Sequence, residues 1–193
     1  MSYRKMERNK KMTMKAKSKN MNSCYLLTTK HNIFDVANQI ITAKENGSSV
    51  IIPHVCNNIN LFGAGFAKAV ADKYPIVKEN FHMLSTQAKL GYTQFVEAKK
   101  ENTYGHRIIV ANMIAQNGIK SSKNPRPLNY AALVYCMNNV KSYIKEFQRS
   151  QGNPIEIHCA KFGSGLAGGD WKFISELIQD LWYESKNIYI YSL

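Results

Sequence analysis

Short apolar runs alternate with stretches of helical period along most of this chain, and that alternation limits the fold more than any other feature. Val50-Ile51-Ile52 is continuous and β-branched, as in a strand buried on both faces. Further strands are expected at 25–29, 94–98, 107–113, 155–160 and 188–192. Helices are expected at 35–45, with Asp35 as its cap and Asn46-Gly47 as its stop, at 66–73, from Pro75 to about Leu90, at 128–147 and at 170–183. Strands interleaved with helices predict a three-layer α/β/α sandwich around a mixed sheet, formed as a single domain. Trp171 and Trp182 lie three turns apart and are expected to face the sheet, and Met83 is expected in the core.

Charge separates the chain into two parts. It holds 26 Lys and Arg against 13 Asp and Glu, and eight of the basic residues but one acid fall in residues 1–20. That stretch has no period and reads as a disordered leader or as a basic arm for nucleic acid. Residues 21–193 form the folded domain, moderately basic, which suits a phosphate-bearing ligand. No run of 18 apolar residues exists, and the N-terminus has no apolar signal region. Cys24, Cys56, Cys136 and Cys159 form no C-x-x-C pair and read as reduced thiols of a cytoplasmic protein.

Two strand-to-helix loops carry the chemistry, because ligands in such folds bind beyond the C-terminal ends of strands. The first runs from His54 to Gly65. Gly63 and Gly65 permit close approach to the backbone, the helix beginning near Phe66 offers free N–H groups, and Asn57, Asn58 and Asn60 can meet sugar hydroxyls. The second, Gly163-Ser164-Gly165-Leu166-Ala167-Gly168-Gly169-Asp170, has four glycines in seven residues, which suggests backbone amides brought against a pyrophosphate. Gly163 to Gly168 matches G-x-G-x-x-G, but only one helix and one strand follow, so a dinucleotide-binding oxidoreductase is rejected. No Walker lysine follows either loop.

In combination the two loops resemble those of the macrodomain family. His54-Val-Cys-Asn-Asn-Ile-Asn-Leu-Phe-Gly-Ala-Gly-Phe-Ala is similar to the first loop of its yeast-type ADP-ribose 1''-phosphate phosphatases, and Ile188-Tyr-Ile-Tyr-Ser-Leu is similar to the ending of that branch and of the terminal ADP-ribose glycohydrolases. The resemblance covers about residues 23–193. It implies a sheet of about six strands, an ADP-ribose cleft, no metal and no other cofactor. Asn32 stands where many members hold the adenine amine with an aspartate, with Ile33 beside it. Gly63, Ala64, Gly65 and Phe66 would flank the distal ribose and phosphates, and Ser164, Gly165, Leu166, Ala167 and Gly168 would cradle the diphosphate. Tyr191 would cover the adenine side. Ala167 stands at the position of the hydrolase branch's aspartate, and no equivalent of its lysine can be placed, which counts against lysine-based deacylation.

The remaining chemistry follows by elimination. The positions six after each cysteine are Lys30, Phe62, Ser142 and Gly165, so no C-x5-R exists, and neither D-x-D nor R-H-G occurs. His54 and Asp170 are left, as general acid/base or nucleophile and as the carboxylate that orients water or the imidazole. The expected function is hydrolysis of ADP-ribose 1''-phosphate to ADP-ribose and phosphate by a metal-independent, monomeric, cytoplasmic enzyme with no membrane contact. The alternatives are an ADP-ribosyl hydrolase acting on protein or nucleic acid, and a non-catalytic ADP-ribose reader.

Overall fold

A computed structural model describes residues 25–45, 47–185 and 187–192; the basic stretch 1–20 lies outside them. In chain order the elements are β1 (Tyr25–Thr29), α1 (Ile33–Ile41), β2 (Ser49–Asn57), α2 (Gly65–Lys73), α3 (Pro75–Met83), β3 (Thr93–Lys100), β4 (Arg107–Gln116), α4 (Tyr130–Gln151), β5 (Ile155–Ala160), α5 (Trp171–Leu181) and β6 (Asn187–Tyr191). The six strands lie in the order β1-β6-β5-β2-β4-β3. Neighbours pair in parallel except β3, which runs antiparallel to β4. This is the expected three-layer α/β/α sandwich around a mixed sheet.

Alternation along the strands divides the core. Ile51, Ile109, Met113, Ile157 and Ile188 face α4 and α5, while Val50, Ile52, Ile108, Val110 and Ile114 face α1, α2 and α3. Each such fully buried side chain contributes about 1.5–3 kcal/mol by leaving water. Both faces of β2 and β4 are covered, which is why these strands read as unbroken apolar runs.

Several boundaries differ from those expected. β2 continues through Pro53 to Asn57. Its ladder to β5 ends at Ile51↔Ile157, so from Pro53 onward it pairs with β4 alone, where a residue lacking an N–H is tolerated. α1 begins at Ile33 and is capped by Asn32, not Asp35. It ends at Ile41 on Thr42, ahead of Gly47; Asn46 is outside the described residues. α3 stops at Met83, a single 3-10 turn follows over Ser85–Gln87, and Met83 is 71% exposed instead of buried. Trp182 is buried and its indole N–H donates to the Met137 carbonyl at 2.9 Å. Trp171 is only half-buried, edge-on to Phe162.

Candidate functional site

Three loops meet at the C-terminal edge of the parallel strands. The β2–α2 loop is shaped by its own asparagines. Asn57 is buried at the end of β2; its Oδ1 accepts from the N–H groups of Ile59 and Leu61 at 3.0 and 3.1 Å, and its Nδ2 donates to the Leu61 carbonyl at 2.6 Å. Asn58 ties this loop to the β4–α4 loop: its Oδ1 accepts from Gly118 N–H at 2.8 Å and its Nδ2 donates to Asn117 Oδ1 at 3.1 Å. Asn60 adopts a left-handed conformation with φ 59°, and its Oδ1 lies 2.9 Å from His82 Nδ1. All three amides, expected to meet sugar hydroxyls, are engaged in holding the loop.

The β5–α5 loop spends most of its glycines on packing. A Cβ on Gly168, at φ +71°, would stand 2.8 Å from the Pro125 carbonyl oxygen. One on Gly169 would overlap Leu128 and the Gly163 carbonyl oxygen, and one on Gly163 would press on Ile174 at 3.1 Å. These three glycines let the loop lie against Leu128 and the end of the β4–α4 loop, so a ligand is not the reason for them. Ala167 is buried there, and its carbonyl accepts from Leu128 N–H at 3.0 Å. The Ser164 hydroxyl donates to the Lys161 carbonyl at 2.8 Å.

Gly63 and Gly165 are different: a Cβ on either meets nothing within 4 Å. Between them the first and second loops approach each other, with Leu166 Cδ1 3.3 Å from the place of a Gly65 Cβ. Leu166 and Leu61 stand exposed at this mouth. α2 starts here on Ala64, with no side chain capping it, and its first intrahelical bond runs from Lys68 N–H to the Ala64 carbonyl. The amides of Gly65, Phe66 and Ala67 therefore lack helical acceptors, and they carry the positive end of the helix dipole. By contrast, Asp170 caps α5, its Oδ1 accepting from Lys172 N–H at 2.8 Å, while its own N–H donates to the Tyr130 hydroxyl at 2.8 Å. Asn32 caps α1, accepting from Phe34 and Asp35 N–H groups at 2.9 and 3.3 Å. The Asn32 oxygen assigned to adenine thus already holds a helix end, and the Ile33 side chain is buried.

His54 does not stand at the loop mouth. It lies within β2, is 2% exposed, and faces the α1–α3 layer edge-on to Phe62 and Phe66. Its Nε2 is 2.6 Å from Asn112 Oδ1; Asn112 in turn donates to Gln94 Oε1 at 2.9 Å, and Gln94 donates to the Asn80 carbonyl at 2.9 Å. Burial lowers the imidazole pKa to about 4 and outweighs the Asn112 bond, so the ring is neutral at neutral pH. Cys56 Sγ is 3.7 Å from His54 Nε2, and burial pushes its thiol well up, which removes it as a nucleophile. Phe66 stacks on Phe34 with centroids 5.8 Å apart.

Tyr191 does not offer an open ring either. It is buried, with its hydroxyl 2.7 Å from His158 Nδ1, and His158 Nε2 is 3.2 Å from Glu156 Oε2. Burial pushes the Glu156 carboxyl up, but the bonds from His158 and Ser48 outweigh it and hold the group below its ordinary value. Asn112 and Gln94 escaped the sequence reading. A signal was present: Asn112 interrupts the apolar run of β4, and a polar side chain buried in a strand needs partners, which the register supplies as His54 on one side and Gln94 on the other.

Among the described residues no group of three or more His, Cys, Asp or Glu could hold a metal ion, and no helix is long and apolar enough to cross a membrane. No protein-family model and no curated protein matches the chain. Solved structures do. A protein of unknown function from Bacteroides thetaiotaomicron is 28% identical, with a TM-score of 0.68 over 88% of this chain and 99% of its own. A macrodomain protein from Streptomyces coelicolor is 24% identical, with a TM-score of 0.61 over 88% and 99%. The Oceanobacillus iheyensis macrodomain with ADP is 11% identical, with a TM-score of 0.56 over 91% and 86%. By strand order, layering and these likenesses, the chain has the macrodomain fold.

Proposed function

We propose that this protein binds ADP-ribose in the groove between its two glycine loops. The observation that carries the reading is the meeting of Gly65 with Leu166 beside two positions, Gly63 and Gly165, where the backbone faces open space. In this reading the diphosphate lies along Ser164 and Gly165, and the distal ribose and its phosphate approach the uncapped amides of α2. Asn32 and Ile33 contribute to adenine recognition through the backbone at the start of α1, since the Asn32 oxygen serves the cap. The ADP in the Oceanobacillus iheyensis macrodomain, whose fold this chain shares, supports a ligand of this class.

A second reading, hydrolysis of ADP-ribose 1''-phosphate, is favoured by the same uncapped helix end, which suits a terminal phosphate better than a ribose hydroxyl. Asp170 is its exposed carboxylate and orients the attacking water. His54, neutral and enclosed, supports Phe66 from below and transfers no proton. Calorimetric titration with ADP-ribose and with AMP tests the first reading: ADP-ribose binds and AMP binds more weakly, lacking the diphosphate bridge and second ribose. Absence of heat with millimolar ADP-ribose overturns it. Phosphate release from ADP-ribose 1''-phosphate by the wild type, lost in Asp170→Asn and retained at pH 7 in folded His54→Gln, tests the second.

A further inference from the structure

The rim of this groove carries more positive charge than a diphosphate needs. The β4–α4 loop supplies Lys120, Lys123 and Arg126, and the β5–α5 loop and first turn of α5 supply Lys161 and Lys172, all exposed. Asp170 is the lone carboxylate in these two segments. Among the described residues no acid forms an ion pair with any of the five cations. The segments form one face, because Gly168 lies against Pro125 and Arg126, and Leu128 N–H bonds to the Ala167 carbonyl.

Aromatic rings are set among these charges. Arg126 lies over the Tyr130 ring at 4.8 Å, and Lys161 lies 5.9 Å from the Trp171 ring. Phe173 is 42% exposed and meets Tyr130 edge-on with centroids 4.9 Å apart. Cations that track a phosphate backbone, interleaved with rings on which bases stack, are the requirements of a single-stranded nucleic acid. An acidic peptide would meet the charges but make no use of the rings.

We propose that this rim binds a single-stranded nucleic acid beside the groove; only the assignment of the groove itself rests on the ADP-ribose reading. The test follows fluorescence anisotropy of a labelled single-stranded oligonucleotide with the full chain. Affinity is expected to fall steeply with salt, with a log–log slope of about 0.7 per phosphate contact. Lys120→Glu/Lys123→Glu should weaken binding roughly tenfold or more and flatten that slope by about 1.4. The milder Lys120→Gln/Lys123→Gln should act in the same direction. Phe173→Ala, with melting temperature checked, should cost about fivefold or more through lost stacking.

Free ADP-ribose should bind the Phe173→Ala variant as it binds the wild type, and a chain lacking residues 1–20 should keep salt-dependent oligonucleotide binding. Unchanged oligonucleotide affinity in the charge-reversed variant overturns the proposal. So does complete loss of binding on deletion of residues 1–20, or equal competition by polyglutamate. Oligonucleotide binding in a protein that does not bind ADP-ribose supports the rim and overturns the groove reading alone.

Discussion

The two glycine loops look alike in sequence and are built on opposite principles. In the β2–α2 loop the side-chain amides of Asn57, Asn58 and Asn60 make the architecture, and Gly63 is left facing open space. In the β5–α5 loop the glycines make the architecture: Gly163, Gly168 and Gly169 each leave out a Cβ that would strike a neighbour, and Gly165 alone is open. Glycine density by itself therefore does not measure ligand contact. What marks the proposed groove is the pair of glycines that packing does not require.

That contrast is easiest to break at Gly165. Gly165→Glu places a carboxylate in open space, which in the proposed reading is the path of the diphosphate. The fold should persist, with an unchanged melting temperature, while ADP-ribose affinity drops about a hundredfold or more through steric exclusion and charge repulsion. Full affinity in a folded Gly165→Glu protein would show that the ligand lies elsewhere. Gly168→Ala should do the reverse. A Cβ there requires a left-handed alanine and crowds the Pro125 carbonyl, costing about 2–3 kcal/mol of stability. Urea denaturation reads this directly, and a neutral result would mean that the β4–α4 loop gives way easily.

The floor beneath the first loop offers the next test. His54 has a folded-state pKa of about 4, below its ordinary value of 6.5, so the folded protein resists its protonation and the unfolded chain accepts it. The stability this represents is complete above pH 6.5 and is lost as pH falls from 6.5 toward 4. Between pH 7 and pH 5 it amounts to about 2 kcal/mol. His54→Gln removes this titration, so its stability at pH 5 should approach its stability at pH 7, measured by urea midpoints at both. An unchanged acid limb in the variant would place the titrating group elsewhere; Glu156, whose carboxyl is held below its ordinary value, acts only further into acid.

The sequence made the sheet legible because its strands are buried on two faces, and a run such as Val50-Ile51-Ile52 has no other use. β5 matches its expected limits for that reason, and β1 matches its own as well. It misplaced His54 because Pro53 reads as a strand end, and only the pairing partner of each strand edge decides whether a proline is tolerated. It misread Asn32 because an asparagine before a helix serves equally as a cap and as a ligand acceptor, and the chain alone does not say which. Tyr191 reads as a cover for the adenine side, but the direction of its ring depends on His158, which is 33 residues away.

The smallest effect is also the sharpest discriminator between the loops. Gly63 is not among the positive-φ glycines, and a Cβ there meets nothing within 4 Å. Gly63→Ala therefore adds no strain to the folded state and reduces the freedom of the unfolded chain, which should raise stability by about 0.4–1 kcal/mol. The same substitution at Gly168 destabilises, so the two loops respond with opposite signs. ADP-ribose binding sharpens the contrast further. Alanine at Gly63 narrows the approach to the distal ribose and should weaken binding in a protein that has become more stable, a combination that general loss of structure cannot produce. A Gly63→Ala protein that is destabilised would mean that the β2–α2 loop is as tightly packed as its counterpart, and the distinction drawn between the two loops would fail.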